Sequence, residues 1–281
     1  MLKRKEKKKE KGILLYLLLL VIGMGFLLYP SLSNYYNTFH QSKAISQYLE
    51  IMEEIDKEEQ DKIFNEVRMY NKTLITNNTS WKMKDEERKI YNSLLDFTDT
   101  GIMGYIEIPK INVSLPIYHG TSDEVLQVAV GHVEGSSLPV GGKGTHAVLS
   151  GHRGLPSAKI FTDMDKIEEG DQFYIRVLNE VLTYEVDQIS IVLPNEMDTL
   201  QIDPEKDYCT LVTCTPYGVN SHRMLVRGKR IETVNEKVIT ITAEAFQIEP
   251  KIVMPFIAIP LCLIYIIVLL LKPTKKKIKD E

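Results

Sequence analysis

Residues 210–218 of the chain are Thr-Leu-Val-Thr-Cys-Thr-Pro-Tyr-Gly. The apolar and β-branched residues before position 214 predict a short buried strand, which the Pro/Gly turn ends. Cys214 therefore lies at the mouth of a strand, held on a rigid element but open to reaction. Shortly after, residues 222–228 predict a returning strand that carries Arg223 and Arg227. Because a nearby cation favours the nucleophilic thiolate, these strands predict a cysteine nucleophile with an arginine beside it.

From residue 101 onward the pattern is that of a mostly β domain. Short runs rich in Val, Ile, Thr and Tyr, separated by turn residues, predict strands at 105–109, 114–118, 146–150, 173–178, 182–192, 208–213, 223–226 and 237–242. Many short strands with turn signals favour a closed or nearly closed β-barrel. Ahead of the barrel, helical periodicity predicts helices over 42–70 and 85–95, and a short helix or turn is expected at 163–170.

Two uncharged apolar segments flank this domain. Residues 13–29 follow a basic tail, and residues 252–271 precede another. Each is long enough to cross a bilayer, the first near the lower limit of length. The cations outside both segments place both termini in the cytoplasm and the middle of the chain outside. No small-x-small cleavage site follows the first segment, so an uncleaved anchor is preferred over a removed signal sequence with a lone C-terminal anchor.

These patterns divide the chain into seven segments. We expect a basic cytoplasmic tail (1–12), a transmembrane signal anchor (13–30) and a helical extension with a lid candidate (31–100). The barrel (101–245), a linker (246–251), a second transmembrane helix (252–271) and a second basic cytoplasmic tail (272–281) follow. Between the tails, acidic residues outnumber basic ones by 34 to 22. This balance excludes nucleic acid as a partner, because phosphate binding needs a basic surface.

A thiol nucleophile needs a partner that gives a proton to the leaving group, and the six histidines are the candidates. His152 lies in Ser-Gly-His-Arg-Gly, where a strand ends in a glycine-bounded turn, so its imidazole projects from a rigid edge. His146, inside the same strand, is the second candidate, and spacing alone pairs neither with Cys214. Arg223 is preferred over Arg227 for holding a carbonyl or oxyanion, because it is nearer the turn after the cysteine.

The cysteines indicate a free thiol rather than a disulfide or a metal site. Cys209 and Cys214 are five positions apart, about 16 Å along an extended strand, whereas a disulfide needs less than about 7 Å. This odd spacing puts them on opposite faces, so Cys209 is predicted to be a small buried apolar residue. Neither Cys-x-x-Cys nor His-Glu-x-x-His occurs in the sequence, and no metal or cofactor is expected.

Residues 210–214 followed by Arg223 resemble the active-site signature of the sortases. Residues 150–154 resemble the histidine motif of that family, and residues 104–111 resemble its opening strand. The two apolar segments, the helical extension and the stretch 214–228 are most similar to class C, pilin-assembling sortases. The resemblance implies a closed eight-stranded β-barrel. It also implies that Cys214 is the nucleophile, His152 the proton donor and acceptor, and Arg223 the substrate or oxyanion clamp.

The resemblance further implies a reaction and a location. Related enzymes cleave an LPxTG-like sorting signal of a surface protein or pilin after the threonine, forming a thioester that an amine resolves, with hydrolysis as a side reaction. In pilus assembly the amine is a lysine of the next pilin; in the alternative, cell-wall anchoring, it belongs to peptidoglycan. The implied location is a Gram-positive cell membrane with the catalytic domain outside. An interpretation from another class, a non-catalytic extracellular scaffold, leaves the Cys, His and Arg motifs unexplained.

The region before the barrel departs from the class C pattern. Class C sortases usually carry an Asp-Pro-aromatic lid motif there, but no Asp-Pro occurs between residues 71 and 100. Trp81, the only tryptophan, lies where a lid aromatic is expected. We hypothesise that Trp81 covers the groove near Cys214. The alternative is that Trp81 merely packs against the helix that follows it.

Overall fold

The computed structural model describes residues 2–76, 81, 83–97, 101–233, 262 and 266. Within these residues eight strands are present: Ile102–Ile108 (β1), Val113–His119 (β2), Val130–His132 (β3), Thr145–Ser150 (β4), Gln172–Val177 (β5), Glu180–Val192 (β6), Asp207–Thr215 (β7) and His222–Ile231 (β8). They close into a barrel in the order β1-β2-β3-β4-β7-β8-β6-β5. The pairs β2–β3 and β4–β7 are parallel, and the other neighbouring pairs are antiparallel.

The helices described are Leu2–Glu54 (α1), Lys57–Thr76 (α2), Asp85–Ser93 (α3) and the short Asp123–Leu126 (α4). The first of two compact units begins at Leu32 and contains the barrel. In the first unit, Tyr48 of α1 packs edge-on against Tyr105 of β1, with ring centroids 6.3 Å apart. This contact covers Tyr105 on the outer face of β1, and all seven residues of β1 are buried.

The helix predicted over 42–70 is interrupted at Ile55 and Asp56, where α1 ends and α2 begins. The carboxylate of Asp56 accepts the backbone N–H of Glu59 at 2.9 Å, which is the arrangement of a helix N-cap. An aspartate that satisfies a free N–H of the new helix makes a break there favourable. The helical periodicity on either side of Asp56 hides this break from a pattern search.

The strand predictions agree with the structure at seven of the eight positions. The strand expected at 237–242 lies outside the described residues. The barrel contains β3 instead, which no pattern predicted because it is only three residues long. Residues 163–170 contain the short 3-10 turn Met164–Lys166, as expected.

Only part of the membrane prediction falls on described residues. Among these, the stretch Leu18–Glu54 of α1 is long and apolar enough to cross a membrane. The predicted second span, 252–271, lies outside the described residues except for Cys262 and Ile266. The segment boundaries and the placement of both termini stay predictions.

Candidate active site

β7 presents Cys214 on the outer face of the barrel, close to the end of the strand. Cys209 and Leu211 belong to the interior core, so alternation turns Val212 and Cys214 outward. Cys214 is a free, partly exposed thiol. Cys209 is fully buried, as predicted, and burial raises the pKa of its thiol well above the usual value. Between these two thiols, Cys214 alone is therefore accessible for chemistry.

Arg223 of β8 is paired directly with Cys214 in the antiparallel β7–β8 ladder. Side chains at such paired positions lie on the same face with Cβ atoms about 4.5–5.5 Å apart. The Arg223 Nη1 donates to the carbonyl oxygens of Asn220 at 3.2 Å and His222 at 3.1 Å. In the described part of the chain no carboxylate pairs with this guanidinium. Its charge is therefore available to a ligand beside the thiol.

His152 lies on the other side of β7. The parallel β4–β7 ladder ends at the pair Ser150–Val212, and hydrogen bonds continue it beyond β4. The N–H of Gly151 donates to the Val212 carbonyl at 3.0 Å, and the Thr213 hydroxyl donates to the Gly151 carbonyl at 2.8 Å. Continuing the register of the Ser150–Val212 pair by two residues on each chain segment brings position 152 alongside position 214. The strand order β4-β7-β8 thus puts Cys214 between His152 and Arg223.

The loop that carries His152 is packed closely at its first residues. A Cβ added at Gly151 would lie 2.6 Å from the ring of Phe161. The N–H of Phe161 in turn donates to the His152 carbonyl at 2.9 Å. Gly154 has a φ of +80°, and a Cβ there would lie 2.8 Å from the ring of Tyr217. The two glycines that bound the histidine motif therefore allow two aromatic rings to hold the loop in place.

Arg153 is a site-forming residue that the sequence analysis did not single out. Its side chain is only 9% exposed and makes an ion pair with Asp165 at 3.0 Å. It also donates to the hydroxyl of Thr215, the residue after Cys214, at 3.3 Å. Arg153 thus ties the His152 loop to the end of β7. Its position within the histidine motif was visible in the sequence, but nothing local distinguishes it from a surface charge.

His146, the second candidate, is placed away from Cys214. It pairs with Tyr208 at the opposite end of the β4–β7 ladder. Its ring nitrogens lie 2.9 Å from the Gln201 carbonyl oxygen and 2.7 Å from the Thr210 hydroxyl. Burial lowers the pKa of His146, with the nearby Arg227 acting in the same direction and the Gln201 hydrogen bond opposing it. His146 is a satisfied core histidine.

Arg227 is placed differently from Arg223, although both lie on the outer face of β8. It makes a bidentate ion pair with Asp187, with nitrogen–oxygen distances of 3.0 and 2.9 Å. Its guanidinium carbon lies 4.3 Å from the centre of the Tyr208 ring. Arg227 is thus a paired, partly buried cation whose contacts join β8 to its neighbours in the barrel wall.

Trp81 packs on the outside of the barrel. It lies against a cluster formed by Val148, Leu200 and Leu225. Val212, two residues before Cys214 on the same face of β7, packs against this cluster as well. We call Val148, Leu200, Leu225 and Val212 the outer-face cluster. Trp81 therefore covers apolar surface close to the Cys214 thiol, on the same outer face of the barrel.

The arrangement brings three chemical groups together at one edge of the barrel: a thiol, an imidazole and an arginine that has no carboxylate partner among the described residues. In the described residues no three His, Cys, Asp or Glu side chains are grouped as metal ligands. A thiol flanked in this way suits acyl transfer, in which sulfur attacks a carbonyl and a cation holds the oxyanion.

Comparison with known proteins finds the same fold in solved structures. A family model described as Sortase domain matches residues 106–231. Sortase C1 of Streptococcus agalactiae is 53% identical with a TM-score of 0.67, and the match covers 68% of this chain and 99% of that chain. A sortase C of Streptococcus pneumoniae, whose structure is described as giving insights into catalysis and pilin substrate specificity, is 43% identical with a TM-score of 0.62; here the coverage is 68% and 97%.

Among curated proteins, Sortase D of Bacillus subtilis is 34% identical over 131 residues. That match covers 46% of this chain and 63% of the relative. The chain thus spans less than two thirds of the length of this curated relative.

Proposed function

Since the chain belongs to the sortase family and is similar to class C sortases, we propose that it is a cysteine transpeptidase that joins pilins. The observation that supports this proposal is that His152, Cys214 and Arg223 lie in a row at the neighbouring ends of β4, β7 and β8. The acyl donor is a surface protein or pilin with an LPxTG-like sorting signal. The acceptor is a lysine amine of the next pilin.

In the first half of the reaction the Cys214 thiolate attacks the threonine carbonyl of the sorting signal. The carbon–sulfur bond forms as the carbonyl π electrons move onto oxygen, and the oxyanion lies beside the Arg223 guanidinium. Collapse of this intermediate breaks the bond to the glycine nitrogen. The protonated His152 imidazole gives its proton to the departing amine, leaving a thioester on Cys214.

In the second half the lysine amine attacks the thioester carbonyl. The now neutral His152 takes the proton that the amine loses, and Arg223 again faces the oxyanion. Collapse breaks the carbon–sulfur bond, regenerates the Cys214 thiolate and leaves an isopeptide bond between the two proteins. Water in place of the amine would give hydrolysis, so a groove that excludes water favours transfer.

Trp81 is the proposed lid over this groove. Its contacts with the outer-face cluster hold an aromatic ring on the outer face of the barrel, the face on which Cys214 lies. A substrate that occupies the same apolar surface must displace it.

The apolar N-terminal part of α1 supports a membrane anchor. We propose that the barrel faces the outside of a Gram-positive cell and that the basic tails lie in the cytoplasm. Substrates held at the same membrane would then reach the enzyme without diffusing away. Attachment of proteins to a peptidoglycan amine is the second candidate function, and it differs only in the acceptor.

A competition between acceptors tests this assignment. The full-length enzyme is mixed with an LPxTG-type peptide, a peptide with one internal lysine, and a stem-peptide mimic with a free amine, and the products are identified by mass. The proposal predicts an isopeptide on the lysine peptide. Ligation to the stem mimic alone would support cell-wall anchoring. Release of free acid alone would contradict a transpeptidase, and no cleavage would support the non-catalytic scaffold.

A further inference from the structure

Three polar residues lie in line on the face of α1 that is directed at the barrel: Asn34, Asn37 and Gln41. Their spacing of three and four positions puts them on one side of the helix. Each binds a main-chain group of the barrel domain. The Lys159 N–H donates to Asn34 Oδ1 at 2.7 Å. Asn37 Nδ2 donates to the Ser157 carbonyl at 2.8 Å, and Gln41 Nε2 donates to the Val128 carbonyl at 2.5 Å.

Two of these main-chain groups, at Ser157 and Lys159, belong to the loop that begins with Gly151 and His152. This loop has no regular secondary structure until the 3-10 turn at Met164–Lys166. Its first residue is fixed to β7 by the Gly151–Val212 hydrogen bond. Asn34 and Asn37 hold its middle, so the loop is attached at a second place, to a helix outside the barrel.

The chemistry of each contact fixes the orientation of the amide. A backbone N–H can be accepted only by the oxygen of Asn34, and a carbonyl can accept only from the nitrogen of Asn37. The two asparagines therefore have different roles, one as acceptor and one as donor. Both are partly buried. Asparagines that served only solubility would be expected to face water rather than to bind an N–H and a carbonyl of the same loop.

From these contacts we propose that Asn34 and Asn37 are positioning residues for the His152 loop. Holding Ser157 and Lys159 restricts the loop and keeps the imidazole beside Cys214 through both halves of the reaction. The inference rests on the proposed function, since it assigns the loop a catalytic task. It also means that the helix carrying the apolar stretch is hydrogen-bonded to the loop that bears the proton donor.

The difference between acceptor and donor provides the test, made on the full-length protein. Asn34→Asp keeps an acceptor oxygen for Lys159, whereas Asn34→Ala removes it. Asn37→Asp replaces the donor with a carboxylate that faces the Ser157 carbonyl. We expect Asn34→Ala and Asn37→Asp to lower kcat about tenfold with KM unchanged, because a small misplacement of a catalytic group is costly. Asn34→Asp retains the wild-type kcat. Asn65→Asp, on the exposed face of α2, controls for the added charge.

Hydrogen exchange at the Lys159 amide gives a second readout that needs no substrate. The amide exchanges faster in Asn34→Ala, and Asn34→Asp protects it as the wild type does. Equal kcat values for Asn34→Asp and Asn34→Ala, or unchanged Lys159 exchange in Asn34→Ala, would overturn the proposal. If the wild type forms no acyl-enzyme, the proposed function fails, but the exchange measurement still decides whether Asn34 holds the loop.

Discussion

Cys214 and Arg223 occupy directly opposed positions of β7 and β8, while the loop leaving β4 brings His152 to the other side of β7. Cys214 is thus the middle member of three neighbouring strand ends. Two of these strands, β7 and β8, are close in sequence and joined by a short turn, but β4 is more than 50 positions away. The site depends on that long-range parallel pairing.

Arg223 and Arg227 provide a matched pair of substitutions on one face of one strand. We expect Arg223→Ala to lower kcat/KM about 100-fold, because the oxyanion loses its cation, with little change in Tm. Arg227→Ala breaks the ion pair with Asp187 and is expected to lower Tm while retaining most of the activity. Peptide cleavage and thermal unfolding of both variants check this. Equal losses of activity would contradict the assignment of Arg223.

Trp81→Ala tests the lid. Removing the indole uncovers the outer-face cluster, so we expect alkylation of Cys214 by a small thiol reagent to become faster. Trp81→Phe keeps an aromatic ring and serves as the matched control, with a smaller effect. If thiol reactivity and turnover are the same in Trp81→Ala as in the wild type, Trp81 is not a lid.

Gly151→Ala tests the packing of the His152 loop. The added methyl group would meet Phe161 at 2.6 Å and Ile160 at 2.9 Å, so either the aromatic ring or the loop must move. We predict a fall in kcat measured by peptide cleavage. Phe161→Leu, made in the Gly151→Ala background, vacates space and is expected to restore part of the activity. An active Gly151→Ala variant with an unchanged Tm would show that the loop tolerates the displacement.

His132 predicts a pH dependence of stability. Burial lowers its pKa from 6.5 to about 4, although the hydrogen bond with the Ser137 carbonyl opposes the shift. The ring is fully buried, and its Nδ1 lies 2.9 Å from the Tyr91 hydroxyl of α3. The unfolded chain therefore takes up a proton as pH falls below 6.5, and the folded one does so only near 4. His132 thus reduces the free energy of unfolding across this interval, by about 1.4 kcal/mol per pH unit at most.

Urea denaturation of wild type and His132→Gln between pH 7 and 4 measures this contribution. The variant carries a neutral amide, so its stability is expected to fall less steeply over the interval. His40→Gln, at an exposed position on α1, should keep the wild-type slope. Identical slopes for His132→Gln and wild type would show that His132 does not titrate in this way.

The candidate residues were accessible to sequence reasoning because their signals are local. A β-branched run that ends in a cysteine and a Pro/Gly turn marks Cys214, and a glycine-bounded strand end marks His152. Spacing alone could not pair either His146 or His152 with the thiol, because both lie on the same segment and only the β4–β7 register separates them. Such a register is set by packing across the whole barrel.

Other features depend on single side-chain contacts that leave no periodic trace. The break at Asp56 follows from one capping carboxylate. Arg153 and the asparagines Asn34 and Asn37 act through partners that are distant in sequence, at Asp165, Thr215 and residues 157–159. A polar residue on a helix or in a loop is ordinarily solvated, so composition alone does not predict these contacts.

The central claim is that Cys214 forms a thioester with a sorting signal, and intact mass spectrometry of the full-length protein tests it most directly. Wild type, Cys214→Ala and Cys209→Ala are each mixed with an LPxTG-type peptide and quenched in acid. The account predicts an added mass equal to the peptide up to its threonine in wild type and in Cys209→Ala, and none in Cys214→Ala. An adduct that persists in Cys214→Ala, or one that is lost in Cys209→Ala alone, would contradict it.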